Sequence, residues 1–199
     1  MSLARERHYS PRENLFRQDE QVRFALVIIS GRVKLTQLVR AGKEVILRIA
    51  GRGELVDSIG APFAPRHCLT AQAIDPTSVF AWEVHNFEQL FIRFPVLQFN
   101  AASIVAGRLR RLEERFGTLA TERVPQRLAR VLLQLSDQNT NVPIDLSREE
   151  LAQMIGTTLF TVSRLLCQWT ESGIIEPLGR AIVVAKLPLL MQIAEGEAA

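Results

Sequence analysis

From Asp145 to Lys186 the chain reads DLSREELAQMIGTTLFTVSRLLCQWTESGIIEPLGRAIVVAK, and few folds accommodate that order of signals. Ser147 followed by Glu150 spells a capping box, in which the hydroxyl accepts the amide of the third helical residue and the glutamate returns to the cap amide. The box predicts a helix over 148–154 with Leu151, Ala152 and Ile155 turned inward. Gly156 then supplies the backbone freedom for a sharp turn. Thr158 caps a second helix running to about Glu171, with Val162, Leu165, Leu166 and Trp169 as its buried stripe, and Ser172-Gly173 ends it. Two short strands, Ile174-Ile175 and 181–185, flank a turn over Pro177–Arg180 and make a wing. Small residues at Ala152 and Gly156 let the two helices cross closely. Capped helix, glycine turn, second helix and wing together predict a winged helix-turn-helix. In such a unit the second helix leads into the major groove with its N-terminal residues.

The first ninety residues carry a different rhythm. FALVII, RVKLTQLV, EVILRIA and SVFAWEV are short β-branched and aromatic runs between Phe24 and Val84, punctuated at Ser30-Gly31, Ala41-Gly42-Lys43, Gly51-Arg52-Gly53, Ala61-Pro62 and Asp75-Pro76. Val33, Leu35, Gln37 and Val39 alternate imperfectly, as do Val45, Leu47 and Ile49. Many short strands so spaced predict a compact antiparallel sandwich or barrel, with 53–68 as an interruption against which a ligand or partner could lie.

After Val84 the period lengthens. Pro95 suits the first turn of a helix. Ala102, Val105, Leu109, Leu112, Phe116 and Leu119 follow at alternating spacings of three and four, a heptad seam on a helix otherwise charged and reaching Gly117. Such a seam meets a like helix or packs across the β region; a homodimer interface is the reading carried forward. A further helix is expected over Glu122–Ser136, capped by Thr121, with Val124, Leu128, Val131, Leu132 and Leu135 on one face. A polar turn at Asp137–Val142 closes it.

Composition excludes more than it identifies. Among 199 residues, 47% are hydrophobic and 23% charged, enough for a core and too apolar for disorder. The apolar runs are too short to cross a bilayer and no basic-then-apolar leader opens the chain, so no membrane partner and a cytoplasmic location are expected. Two cysteines do not make a disulfide framework or a closed metal site. A net charge of +3 is compatible with nucleic acid, and from Arg108 to Arg130 seven arginines face three glutamates. The 145–185 segment, by contrast, has three arginines against five acids. No dinucleotide, P-loop or zinc-protease motif is present, so an enzyme is not expected.

The segments ISGRVKL (29–35), GRGEL (51–55), RLARVLLQL (127–135), LSREELAQMIGTTLFTVSRLL (146–166) and SGIIEPLGRAIVV (172–184) resemble the Crp/Fnr family of transcription regulators over nearly the whole chain. The N-terminus starts late by some residues of the usual sensor domain. The resemblance implies an α+β fold with an N-terminal double-stranded, jelly-roll-like β-roll (1–92), a long dimerisation helix (93–119) and a C-terminal winged helix-turn-helix (120–199). It implies a homodimer on a two-fold-symmetric DNA site, touching RNA polymerase.

Carried residue by residue, the resemblance makes the helix from Thr158 to Thr170 the reading element, with Thr158, Leu159, Phe160, Thr161, Ser163 and Arg164 at the DNA and Arg180 on a phosphate from the wing. Arg164 suits a guanine or a phosphate. Many members carry a glutamate where this chain has Leu159-Phe160, so the usual family operator is not expected. An acid accepts from cytosine N4, whereas Phe160 offers only apolar contact, for example to a thymine methyl, unless it belongs to the core.

The family's cyclic-nucleotide cassette has Gly-Glu-Leu and, further on, Arg-Ser/Thr-Ala. Here Gly53-Glu54-Leu55 is present and Arg66 is available for a phosphate, but His67 and Cys68 follow and the spacing is longer. Glu54, Arg66, His67 and Cys68 are therefore the candidate effector residues. With the hydroxyl lost and an imidazole in the cradle, independence from cyclic AMP and from any cofactor is expected. Alternatives are gating by a cyclic nucleotide, by haem (on His8, His67 or His85) or by Cys68 as a redox thiol, or a regulatory module that does not bind DNA.

Overall fold

A computed structural model describes residues 4–39, 42–56, 66–136 and 142–196; most of the 53–68 interruption, the Ala61-Pro62 punctuation and the polar turn at 137–141 lie outside the described residues. The chain separates into two compact units, Met1–Arg111 and Leu112–Ala199.

The first unit is β-rich. β1 (Arg5–Tyr9), β7 (Thr77–Glu83) and β3 (Phe24–Ser30) form one antiparallel sheet in the order β1-β7-β3. β2 (Asn14–Phe16), β6 (Thr70–Ala73), β4 (Val33–Leu38) and β5 (Glu44–Ala50) form the other, ordered β2-β6-β4-β5. Phe16, Leu26, Ile28, Val33, Leu35, Ala71 and Val79 share the core of this two-sheet roll. Each burial of that kind is worth about 1.5–3 kcal/mol for a large aliphatic or aromatic side chain.

β1 and β2 carry polar and charged residues among their apolar ones, and pattern reading passed over them. The alternation of β4 breaks at Thr36, which is buried like its neighbour Leu35 while Leu38 is exposed, and opposite this point β5 carries an extra residue, Leu47. Buried Thr36 is satisfied by donating to Glu44 Oε1 at 2.6 Å. In β5 the inward residues are Ile46 and Ala50, not Val45, Leu47 and Ile49, which are half-buried on the other face. With apolar residues on both faces, alternation alone could not choose the side.

α1 (Val84–Arg93) follows β7 directly, and α2 (Val96–Thr121) is a single 26-residue helix extending past Gly117. Thr121 is thus the last residue of α2, its hydroxyl bonded back to the Gly117 carbonyl at 2.8 Å, and does not cap the next helix. That helix, α3 (Val124–Leu135), is capped at Arg123 with Pro125 in its first turn. Arg108, in the first unit, donates from α2 to the Leu55 carbonyl.

In the second unit, α3 buries Leu128, Ala129 and Leu132 and packs on a C-terminal helix, α6 (Leu187–Glu195), whose short LPLLMQIAE run carries no side-chain N-cap signal. Among the described residues, no single helix is long and apolar enough to cross a membrane, and no group of three His, Cys, Asp or Glu could hold a metal ion.

Gly31 links β3 to β4 at φ +84°, and a Cβ there would stand 2.5 Å from the Pro76 carbonyl oxygen and 2.6 Å from Thr77 Oγ1. Both the left-handed conformation and the close backbone approach demand glycine. Gly31→Ala is expected to destabilise the first unit by about 3 kcal/mol or more, read as a lowered denaturant midpoint; an unchanged midpoint would contradict the close approach.

Candidate nucleic-acid interface

α4 (Arg148–Ile155) starts at the expected capping box. Ser147 Oγ accepts from the Glu150 amide at 3.2 Å, and Glu150 Oε2 accepts from the Ser147 amide at 2.8 Å. Leu151, Ala152 and Ile155 are buried, and Gly156 closes the helix in the left-handed conformation. α5 (Leu159–Glu171) starts at Thr158, whose hydroxyl accepts from the Thr161 amide at 3.2 Å and lies 2.9 Å from the Thr161 hydroxyl. Its buried stripe is Val162, Leu165, Leu166 and Trp169. The opposite face presents Phe160, Arg164, Cys167 and Glu171 to solvent, with Gln168 beside them, a row spaced three or four apart along one side of the helix.

Phe160 is 77% exposed and Leu159 50%, so Phe160 is not a core residue. Ser163 and Thr161 are half-buried beside them, and Arg164 is exposed without an ion pair among the described residues.

The wing is β8 (Ile175–Leu178) paired antiparallel with β9 (Ala181–Val184), and Ile144 adds an isolated bridge to Ile182. Leu178 pairs with Ala181, so the turn is the two-residue loop Gly179-Arg180, shorter than the expected Pro177–Arg180; Pro177 sits within the strand. Gly179 has φ +61°, as a two-residue hairpin loop with glycine first requires. Arg180 stands exposed at the tip.

What holds the turn between α4 and α5 was not legible beforehand. Arg115, on the C-terminal part of α2, donates to the Met154 carbonyl, and Arg127 Nε of α3 donates to the Ile155 carbonyl at 3.0 Å. The last carbonyls of a helix lack partners within it and carry its partial negative charge, so two guanidiniums are well matched to them. Arg127 also reaches the Glu122 carbonyl, and Leu119 of α2 lies 3.4 Å from where a Cβ on Gly156 would be. Burial pushes the pKa of Arg115 down from its ordinary value.

The arginine surplus over 108–130 is therefore not a free basic patch. Arg108, Arg115, Arg127 and Arg130 all donate to protein carbonyls, Arg130 to Ala194 while pairing with Glu122 at 2.8 Å.

The seam residues Ala102, Val105, Leu109, Leu112, Phe116 and Leu119 are all exposed, and none of the residues of α2 is buried. Phe99 (74% exposed) and Val96 (62%) extend the same apolar character toward the start of the helix, ahead of Ala102.

Three of the four candidate effector residues have local partners of their own. Glu54 pairs with Arg48 at 3.0 Å and accepts from the Gly51 amide at 3.1 Å, closing its own turn. Arg66 donates to the Asp19 carbonyl at 2.6 Å. His67 is buried and stacked flat on Phe16, with ring centroids 3.8 Å apart, while Cys68 is an exposed free thiol. A cavity of about 430 Å³ lies in the roll between Arg7, Tyr9, Phe16, Arg23, Phe24 and His67. Of the four candidates, His67 alone lines it among the described residues. His8, one of the haem candidates, has its Nδ1 2.8 Å from Ser78 Oγ.

A two-sheet roll, a long helix and a winged helix-turn-helix with an exposed reading face define a DNA-binding regulator of the winged-helix class. The comparisons agree with that class. Residues 6–94 match the model of the cyclic nucleotide-binding domain and 126–193 that of the Crp-like helix-turn-helix domain. The chain is 28% identical to the cyclic AMP receptor protein of Thermus thermophilus, over 98% of this chain and 91% of that protein. It is 29% identical to a probable transcriptional regulator, flp, of Lacticaseibacillus casei, over 79% of this chain and 73% of the relative. The solved structure of FixK2 from Bradyrhizobium japonicum superposes with a TM-score of 0.81 at 27% identity, covering 99% of this chain and 98% of that one. This chain belongs to the Crp/Fnr family of transcription regulators.

Replacing Arg127 by Met is expected to lower the stability of the second unit by about 1–3 kcal/mol, the cost of leaving a buried carbonyl unpaired. Denaturant unfolding of the protein would read this directly; an unchanged midpoint would show that water replaces the guanidinium.

Proposed function

We propose that the chain is a homodimeric, sequence-specific regulator that binds palindromic double-stranded DNA without needing cyclic AMP. The observation that carries the reading is the head of α5: a capped, well-packed helix whose first turns turn Leu159, Phe160 and Arg164 to solvent. In this reading Arg164 contacts a guanine, Thr158, Thr161 and Ser163 offer hydroxyls to bases or phosphates, and Arg180 of the wing holds a phosphate. Residues 1–92 serve as the sensor-like roll, 93–119 as the dimer helix and 120–199 as the DNA-binding domain.

Dimerisation is supported by the exposed seam of α2. Leaving Leu109, Leu112 and Phe116 in water forgoes roughly 25 cal/mol for every Å² of apolar surface that a second copy of the helix would cover.

Independence from cyclic AMP is supported by the state of the cassette. Glu54 is tied to Arg48, Arg66 to a backbone carbonyl, and His67 is packed against Phe16. RNA polymerase is the expected protein partner. Exposed free thiols at Cys68 and Cys167 fit a protein working in the reducing cytoplasm.

Enrichment of random duplexes by the ligand-free protein is expected to return a palindrome with half-sites about one helical turn apart, unchanged when cyclic AMP is added. Leu112→Glu is expected to weaken the dimer by about 2 kcal/mol or more in sedimentation and to abolish recovery of paired half-sites. A palindrome recovered only with cyclic AMP would show that the cassette still works.

Arg164→Ala is expected to reduce discrimination by about 1–3 kcal/mol at one position per half-site, measured by competition among single-base variants. A uniform loss across all sequences would assign Arg164 to a phosphate.

A further inference from the structure

The first turn of α5 holds an apolar pair that the fold does not use. Leu159 is 50% and Phe160 77% exposed, while the stripe that anchors the helix, Val162 through Trp169, is fully packed without them. The first turn carries no acidic residue, and its hydroxyls at Thr158 and Thr161 are turned to each other at the cap. At positions 159 and 160 the head of the helix therefore meets its target with hydrocarbon, beside the Thr158 and Thr161 hydroxyls, where a hydrogen-bonding residue would be able to read a donor or an acceptor.

We propose that Phe160, with Leu159 beside it, reads the C5-methyl group of a pyrimidine in the major groove, so that 5-methylcytosine is distinguished from cytosine and thymine from uracil at that base. The inference rests on the DNA-binding reading above and specifies its chemistry. Among the edges exposed in the major groove, the C5-methyl of thymine is the one apolar feature; the others are donors and acceptors. A phenyl ring pressed against N4 of cytosine or N7 of a purine displaces water from a polar atom and returns no hydrogen bond, which penalises those bases. Cytosine methylated at C5 presents the same apolar group at the same place. Phe160 also lies one turn before Arg164 on the same exposed face, so the methyl contact is continuous with the polar one. Methylation of cytosine at that position of the operator becomes an input to the regulator, acting through the DNA instead of the β-roll.

The test uses the full-length protein and a duplex recovered by its own selection. Each thymine of the half-site is replaced in turn by deoxyuridine, by cytosine and by 5-methylcytosine (with guanine opposite the cytosines), and affinities are measured at one salt concentration for the protein and for Phe160→Ala. The expected result is one position per half-site at which uracil binds about fourfold more weakly than thymine, the factor that about 0.8 kcal/mol for one buried methyl corresponds to. Cytosine at that position should gain by a similar factor on methylation, and both effects should vanish in Phe160→Ala. Equal affinity for thymine and uracil at every position would overturn the methyl contact while leaving the DNA-binding reading standing. A methyl effect that persists in Phe160→Ala would remove Phe160 from that role. Recovery of no duplex under any condition would overturn the DNA-binding reading, and this inference with it.

Discussion

Two guanidiniums reach the same helix end from different elements: Arg115 from α2 to the Met154 carbonyl, and Arg127 from α3 to the Ile155 carbonyl. The geometry of the reading face depends on them. α4 stops at Gly156, where a left-handed residue turns the chain, and its last carbonyls would otherwise be left without partners in the interior of the second unit. Because a guanidinium stays protonated at any pH the protein meets, the clamp is permanent even for the half-buried Arg115. The turn it holds sets where Thr158 sits, and Thr158 sets the first turn of α5.

The clamp also gives the C-terminal part of α2 a second use. Leu112, Phe116 and Leu119 are exposed on a helix whose Arg115 is fastened to α4 within the same compact unit. A partner helix laid along those residues would be registered against α4, and through the turn against α5, with little slack between. Dimer geometry and the spacing of the two reading helices would then be one quantity.

In the β unit, Glu54, Arg66 and His67 are each engaged by local partners. Glu54 stabilises the turn from Gly51 and neutralises Arg48, which in turn donates to the Leu55 and Val56 carbonyls. These are the contacts of a residue that shapes a loop. The flat stack of His67 on Phe16 uses the imidazole face as packing surface. The arginines and aromatic rings around the roll's cavity come mainly from the segment running from β1 to the start of β3.

Local signals settled much of this protein in advance. The Ser147–Glu150 box, the glycine at 156 and the Thr158 cap act over three or four residues, so the sequence by itself determined where α4 and α5 begin and which faces they bury. The heptad spacing of α2 likewise determined the seam. Properties that depend on distant partners were decided only by the tertiary structure. The inward face of β5 depended on which side of a two-faced strand met the core, and the burial of Thr36 on what the fold laid over it. The seven arginines between 108 and 130 looked alike as a row of charges. Packing gave four of them backbone carbonyls 28 to 64 residues away. Phe160 was undecided between core and surface for the same reason: a side chain's hydrophobicity is its own, but whether anything covers it belongs to the fold.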